Sequence, residues 1–373
     1  MARATLIADT EAAPEADRLE GFAHPRETAV VYGHGEAEQT FWAALKSEKM
    51  HHAWLVTGAT GIGKATLAYR FARAALARPD DRDLFGDGLD VSPESGTYRQ
   101  VTVLSHPGLL LLRRSYDQKS KRFSQSIAVD EVRRLKSFLA LSAEEGSRRV
   151  VIVDSADDLN INAANALLKS LEEPPSRSIF LILSASPGRL LPTIRSRCRT
   201  LTLAPLNEDD LQRAVRAALQ AANKDEPRPE DWRALQRMSG GSVRRALEFI
   251  QGGGFQLQAR IDKIFSLLPR VDGRAAHMLA DEVQGAANEQ KFWLFTELFQ
   301  ETLARLIRAE ATGQGHADDV ALAQRLIGPA RLASFAELWE TLARNRAEVL
   351  ALNLDRKALI LASLSQLEAA CRG

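Results

Sequence analysis

The stretch Ala53 to Leu76, AWLVTGATGIGKATLAYRFARAAL, constrains this chain more than any other. An apolar run, AWLVT, leads straight into Gly58-Ala59-Thr60-Gly61-Ile62-Gly63-Lys64, and an alanine-rich helical pattern follows without a break. Strand, glycine loop and helix in that order form a cradle for phosphate. Glycines let backbone amides turn inward, the helix N-terminus adds a favourable dipole, and Lys64 reaches the outer phosphates. An apolar strand of this kind needs cover on both faces, so the motif also commits the surrounding sequence to a layered α/β domain.

The neighbouring sequence agrees. Short β-rich runs recur at GLLLLRR (108 to 114), VVIVD (150 to 154), IFLILSAS (179 to 186) and RTLTL (199 to 203), separated by segments long enough for crossover helices. These predict a parallel sheet with flanking helices. The stretch Arg78 to Pro107 interrupts the alternation with Pro, Gly, Asp and Ser and reads as a surface excursion. After Pro205 the pattern turns helical, starting at Asn207 with early acidic residues, and reaches Gly252-Gly253-Gly254, a flexible junction. Beyond it, apolar residues at helical spacing, such as Leu294 with Leu298 and Phe295 with Phe299, predict an all-α bundle. The expected organisation is a loose tail at 1–22, a nucleotide-binding-type α/β domain at 23–205, a small helical lid at 206–252 and a helical oligomerisation domain at 253–373. The tail is assigned because MARATLIADTEAAPEADRLEG is rich in Ala, Glu and Asp without amphipathic period.

Composition narrows the chemistry. With 49 basic against 48 acidic side chains, no global field drives the chain onto nucleic acid, so a DNA contact requires a local patch or a partner. Two cysteines, Cys198 and Cys371, are too few for a disulfide framework or a four-sulfur zinc site, which predicts no zinc and a reducing, cytoplasmic setting. No signal-peptide pattern and no membrane-length apolar run is seen, so no membrane role is expected.

Two positions depart from a working ATPase. The residue after the lysine, where a Ser or Thr hydroxyl would hold magnesium, is Ala65; Thr66 is a poor substitute, because the next helical residue points ~100° away. The strand VVIVD delivers Asp154 as a second metal-holding carboxylate, but the next residue is Ser155, which has no basic group to activate water. Asp157 and Asp158 read equally well as helix-start acids. His51 and His52 lack a third ligand and read as packing residues. The basic run RRSYDQKSKR (113 to 122) reads as a solvated hairpin-like loop, with a duplex contact as the alternative.

Downstream come Asn165-Ala-Leu-Leu-Lys-Ser-Leu-Glu-Glu-Pro-Pro175, then Ile194-Arg195-Ser196-Arg197-Cys198, then Gly240-Gly241-Ser242-Val243-Arg244-Arg245. This set resembles the clamp-loader branch of the AAA+ proteins. The likeness spans both AAA+ subdomains and is fainter in the C-terminal bundle, where it rests on LNLDRKAL (352 to 359). It implies a P-loop AAA+ domain, a helical lid and a C-terminal collar-type bundle within a hetero-oligomeric ring. It implies that Arg197 is an arginine finger reaching a neighbour's ATP, a role suited to its permanently charged planar fork. It makes Arg244 the sensor-2 arginine and puts sensor 1 near Ser184. The implied nucleotide contacts are Gly58, Gly61, Gly63, Lys64, Thr66, Asp154 and Arg244, holding ATP with magnesium weakly or not at all. The four-cysteine zinc module of many clamp-loader subunits is missing from Arg78 to Pro107.

With the departures at Ala65 and Ser155, the resemblance implies a stationary, non-hydrolysing subunit of the bacterial DNA polymerase III clamp loader, with delta- and gamma/tau-type partners, acting on the sliding clamp and primed DNA through the complex. The competing reading is a working motor of the same family, rescued by Thr66 or an acid near Asp157. A small-molecule P-loop kinase leaves Ser-Arg-Cys, LEEPP and the long helical C-terminus unexplained.

Overall fold

The computed structural model describes residues 14–47, 50–78, 81, 88–140, 147–283, 289–352 and 355–372. They fall into two compact units, residues 1–245 and 246–373.

The first unit is built on five parallel strands: β1 (Ala53–Thr57), β2 (Leu109–Leu112), β5 (Arg149–Val153), β6 (Ser178–Ser184) and β7 (Arg199–Thr202). Their spatial order is β2-β5-β6-β1-β7. The five β-rich runs of the sequence are thus the five strands of one sheet. A small antiparallel hairpin, β3 (Tyr116–Asp117) with β4 (Arg122–Phe123), follows β2 and accounts for the basic run at 113 to 122.

Every residue of β1 and β6 is buried, as expected of strands covered on both faces. On one face α1 (Gly35–Lys46), α2 (Lys64–Leu76) and α3 (Gly96–Thr102) enclose Phe41, Trp54, Leu67, Phe71 and Leu181. On the other, α4 (Val129–Ala140), α5 (Ile161–Glu172) and α6 (Pro192–Arg195) enclose Leu55, Phe138, Leu167, Phe180 and Ile194. Alternate residues of β1 therefore feed opposite cores, which fixes the register of the strand: a slip by one residue would exchange the two sets.

The helical segment after the sheet comprises α7 (Glu208–Ala221), α8 (Trp232–Ser239) and α9 (Val243–Gln251). Asn207 caps α7, its side chain accepting from the Asp210 amide at 2.8 Å. The division between compact units falls after Arg245, inside α9 and upstream of the glycine triplet. The triplet forms the turn from α9 into α10 (Gly254–Leu267), with Gly253 at φ +70 as the N-cap.

The second unit continues with α11 (Gly273–Val283), α12 (Glu289–Thr312), α13 (Ala317–Leu326), α14 (Gly328–Leu352) and α15 (Arg356–Arg372). Its core includes Phe265, Phe292, Phe295, Leu298, Phe335 and Leu364, with the Phe265 and Phe299 rings 5.4 Å apart. Among the described residues no helix is long and apolar enough to cross a membrane.

Residues 14–22 are not a loose tail. Phe22 is buried, and Glu15 and Asp17 are ion-paired to arginines and a histidine of the first unit. The remainder of the predicted tail, 1–13, lies outside the described residues.

Candidate functional site

β1 ends at Thr57, and the glycine loop begins at once, leading to Gly63 at φ +110 as the N-cap of α2. The loop carries the conformations that its sequence predicts, and one of them binds it to the following helical segment. Gly61 has φ +78, and a Cβ there would collide with Arg244 Cβ and Ser242 Oγ. The Arg244 amide donates to Gly61 O at 3.2 Å, and Ser242 Oγ donates to Thr60 O at 2.8 Å. The sequence-predicted sensor-2 residue is thereby seated directly on the phosphate loop. His34 supports the loop from below, its Nε2 lying 2.7 Å from Ile62 O.

Lys64 turns back on its own loop. Its Nζ donates to Gly58 O and Ala59 O, both at 2.7 Å. Burial pulls the ammonium pKa below its usual value, against the opposing charges of Asp154 and Asp157. Ala65 and Thr66 follow on α2, half-buried, so the residue directly after the lysine has no hydroxyl to offer.

Asp154 stands one residue past β5, with its amide donating to Leu112 O at 2.9 Å. Burial pushes its carboxyl up to about 7; the Asp17 charge adds to the shift, and Lys64 and Arg113 oppose it. A metal would have to displace a proton held there at neutral pH.

The two acids that follow Ser155, Asp157 and Asp158, are both committed elsewhere. Asp157 accepts from Ser184 Oγ at 2.6 Å, the Ala185 amide at 2.6 Å, Ser155 Oγ at 3.0 Å and the Ser186 amide at 3.3 Å. It ties the turn after β5 to the end of β6. Ser184, the expected sensor 1, is fully buried and spends its hydroxyl on this carboxylate. Asp158 pairs with Arg114 at 3.1 Å.

Arg197 lies on the other side of the sheet's strand ends. β7 starts at Arg199, which is in register with Trp54 near the start of β1. Gly58 is four residues further on, so Arg199 is about 13 Å from the phosphate loop along the strand at ~3.3 Å per residue, and Arg197 precedes it. The guanidinium is partly exposed, donates to Thr193 O at 3.0 Å and pairs with Glu172 at 2.8 Å. Glu172 belongs to the NALLKSLEEPP stretch, so α5 and the segment after α6 orient the Arg197 side chain together.

His51 and His52 stack at 4.8 Å; His51 Nδ1 lies 2.8 Å from Ala53 O and His52 Nε2 3.1 Å from Leu171 O, which makes them packing residues at the start of β1. Missed entirely by the sequence reading was the ionic group over the sheet's C-terminal edge. Glu15 binds Arg18, Arg26 and Arg113, and Asp17 binds His24 and Arg113. Acids without local periodicity give no sequence signal for a partner as distant as Arg113.

Residues 33–207 match the family model described as DNA polymerase III, delta subunit. The DNA polymerase III subunit delta' of Pseudomonas aeruginosa is 39% identical over 163 residues, covering 43% of this chain and 46% of that protein. Through this region, the chain is similar to DNA polymerase III delta' subunits. The delta' subunit of Escherichia coli K12 is 33% identical over 217 residues, covering 57% of this chain and 59% of its own length. The chain thus spans about half the length of these delta' relatives. Among solved structures, a DNA polymerase III gamma subunit-related protein of Thermotoga maritima aligns over 90% of this chain and 99% of that one, with 18% identity and a TM-score of 0.44. The matched delta' region contains the phosphate loop, Asp154 and Arg197, and ends where the first lid helix begins.

The residues present do not fit magnesium-ATP as a reactive ligand. Ala65 offers no metal ligand, Ser155 no base, and Asp157 is saturated by its own neighbours. The arrangement is a phosphate loop preserved in shape, with its catalytic positions spent on structure.

Proposed function

We propose that this chain is the stationary delta-prime subunit of a bacterial DNA polymerase III clamp loader, and that it supplies Arg197 to the ATP of a neighbouring subunit. The carrying observation is the separation of Arg197 from the chain's own phosphate loop, at opposite ends of β1 and β7. A guanidinium there cannot serve its own site but can cross an interface, where a finger accelerates phosphoryl transfer roughly a thousand-fold or more. Arginine suits the task because its charge is permanent and its fork can bridge phosphate oxygens.

The second support is the local chemistry at Ala65, Ser155 and Asp157, which favours a subunit without turnover of its own over the motor reading. Gly58, Gly61, Gly63, Lys64, Thr66, Asp154 and Arg244 then form a frame that keeps lid and sheet together, with any nucleotide bound weakly. The C-terminal helices are proposed to join a collar with delta- and gamma/tau-type partners in the cytoplasm, and clamp and primed DNA are met through the complex.

The test is a reconstituted loader in which this chain carries Lys64→Ala. The expected ATP turnover equals that of the unaltered complex, because this site does no chemistry. A large loss of turnover in a complex that still assembles makes the chain a motor.

A further inference from the structure

The crevice over the C-terminal ends of β1, β2 and β5 is where a triphosphate would meet this fold, facing Lys64, Asp154 and Arg244, with Arg113 one residue past β2. Residues 15–17 run across that crevice. Arg244 Nη1 donates to the main-chain oxygen of Asp17 at 3.2 Å. Arg113 Nη1 donates to Asp17 Oδ1 at 2.6 Å, and Arg113 Nη2 to Glu15 Oε1 at 2.7 Å. Glu15 also takes both terminal nitrogens of Arg26, at 2.7 and 3.0 Å, and Arg18 Nε at 3.0 Å.

The seat is built rather than incidental. The Glu15 and Asp17 side chains are only 12% and 9% exposed. His24 is fully buried; its Nδ1 accepts from the Arg26 amide at 3.1 Å, and its Nε2 lies 2.9 Å from Asp17 Oδ2. The His24 ring in turn packs edge-on against Tyr69 of α2, the helix that the phosphate loop opens.

We propose that residues 15–17 act as an intramolecular phosphate mimic, placing one carbonyl and two carboxylates on the arginines that a bound triphosphate would use, and so hold the nucleotide site shut. Two further observations accord with this. Lys64 turns to its own loop carbonyls, and the sensor-2 segment that presents Arg244 to Asp17 is docked on the loop. A tethered segment competes at an effective concentration in the millimolar range, so free ATP has to overcome a ligand that is always present. The plug extends the reading of a non-hydrolysing site, yet it concerns binding by the chain alone and stands whether or not Arg197 has a neighbour to serve.

The experiment compares binding of fluorescent ATP, with and without magnesium, by the full chain and by a Glu15→Gln, Asp17→Asn double variant. At least a tenfold tighter affinity is expected in the double variant, and adding Lys64→Ala should remove the gain. Equal affinity of chain and double variant overturns the plug, as does a gain that survives Lys64→Ala. Should the variant fail to fold, hydrogen exchange on the unaltered chain decides. At an ATP concentration that protects the loop amides of residues 58–63, the amides of residues 15–18 are expected to lose protection. Loop protection with no change at residues 15–18 overturns the proposal.

Discussion

Replacing Asp154 by Asn should leave the protein little changed in acid and more stable in mild alkali. The native carboxyl titrates near 7, against an ordinary value of 3.8, because burial and the Asp17 charge disfavour its ionised form. The folded pKa is raised, so its contribution to stability is complete below the unfolded value and is lost as pH rises through 7. The full shift of about 3 units corresponds to roughly 4 kcal/mol, of which about 2–3 kcal/mol falls away between about pH 5 and about pH 8. Asn resembles the protonated acid in size and polarity and carries no such dependence. Urea midpoints of wild type and variant at both pH values supply the comparison, and other titrating groups cancel in the difference. With a slope of about 1–3 kcal/mol per molar urea, the variant should gain roughly 1 M in midpoint on going from the acid to the alkaline buffer. A difference between the two proteins that is the same at both pH values refutes the assignment of a buried, protonated Asp154.

Gly61→Ala should destabilise the first unit by about 1–3 kcal/mol, since it combines a left-handed backbone with a collision at Arg244 and Ser242; a melting temperature equal to wild type would show that the lid segment is not seated on the loop. Burial raises the Cys198 thiol to about 11, so its alkylation by iodoacetamide near neutral pH should be slow in the native protein and quicken at least tenfold in urea; equal rates would place the thiol in solvent.

What could be read in advance was local. The glycine loop, all five strands of the sheet and the helical character of the described elements after Pro205 follow from runs of neighbouring residues, where apolar period and glycine spacing report directly on backbone geometry. Arg197 stood out within its motif, but its distance from the chain's own loop needed the sheet order, which places β7 beside β1 with Arg199 opposite Trp54. The errors were non-local. Glu15 and Asp17 lack periodicity, so they looked like tail, yet their partners come from two separate segments, His24 with Arg26 in one and Arg113, nearly a hundred residues on, in the other. Asp157 likewise read as a helix-start acid, because nothing near it announces that the end of β6 will fold over its carboxylate.

Pre-steady-state ATP hydrolysis by a reconstituted loader carrying Arg197→Ala in this chain tests the central claim most directly. One class of ATP site should slow by roughly a thousand-fold while the complex still assembles, and the isolated chain should hydrolyse nothing with or without the substitution. Unchanged hydrolysis in the Arg197→Ala complex, together with turnover by the isolated chain, would contradict it.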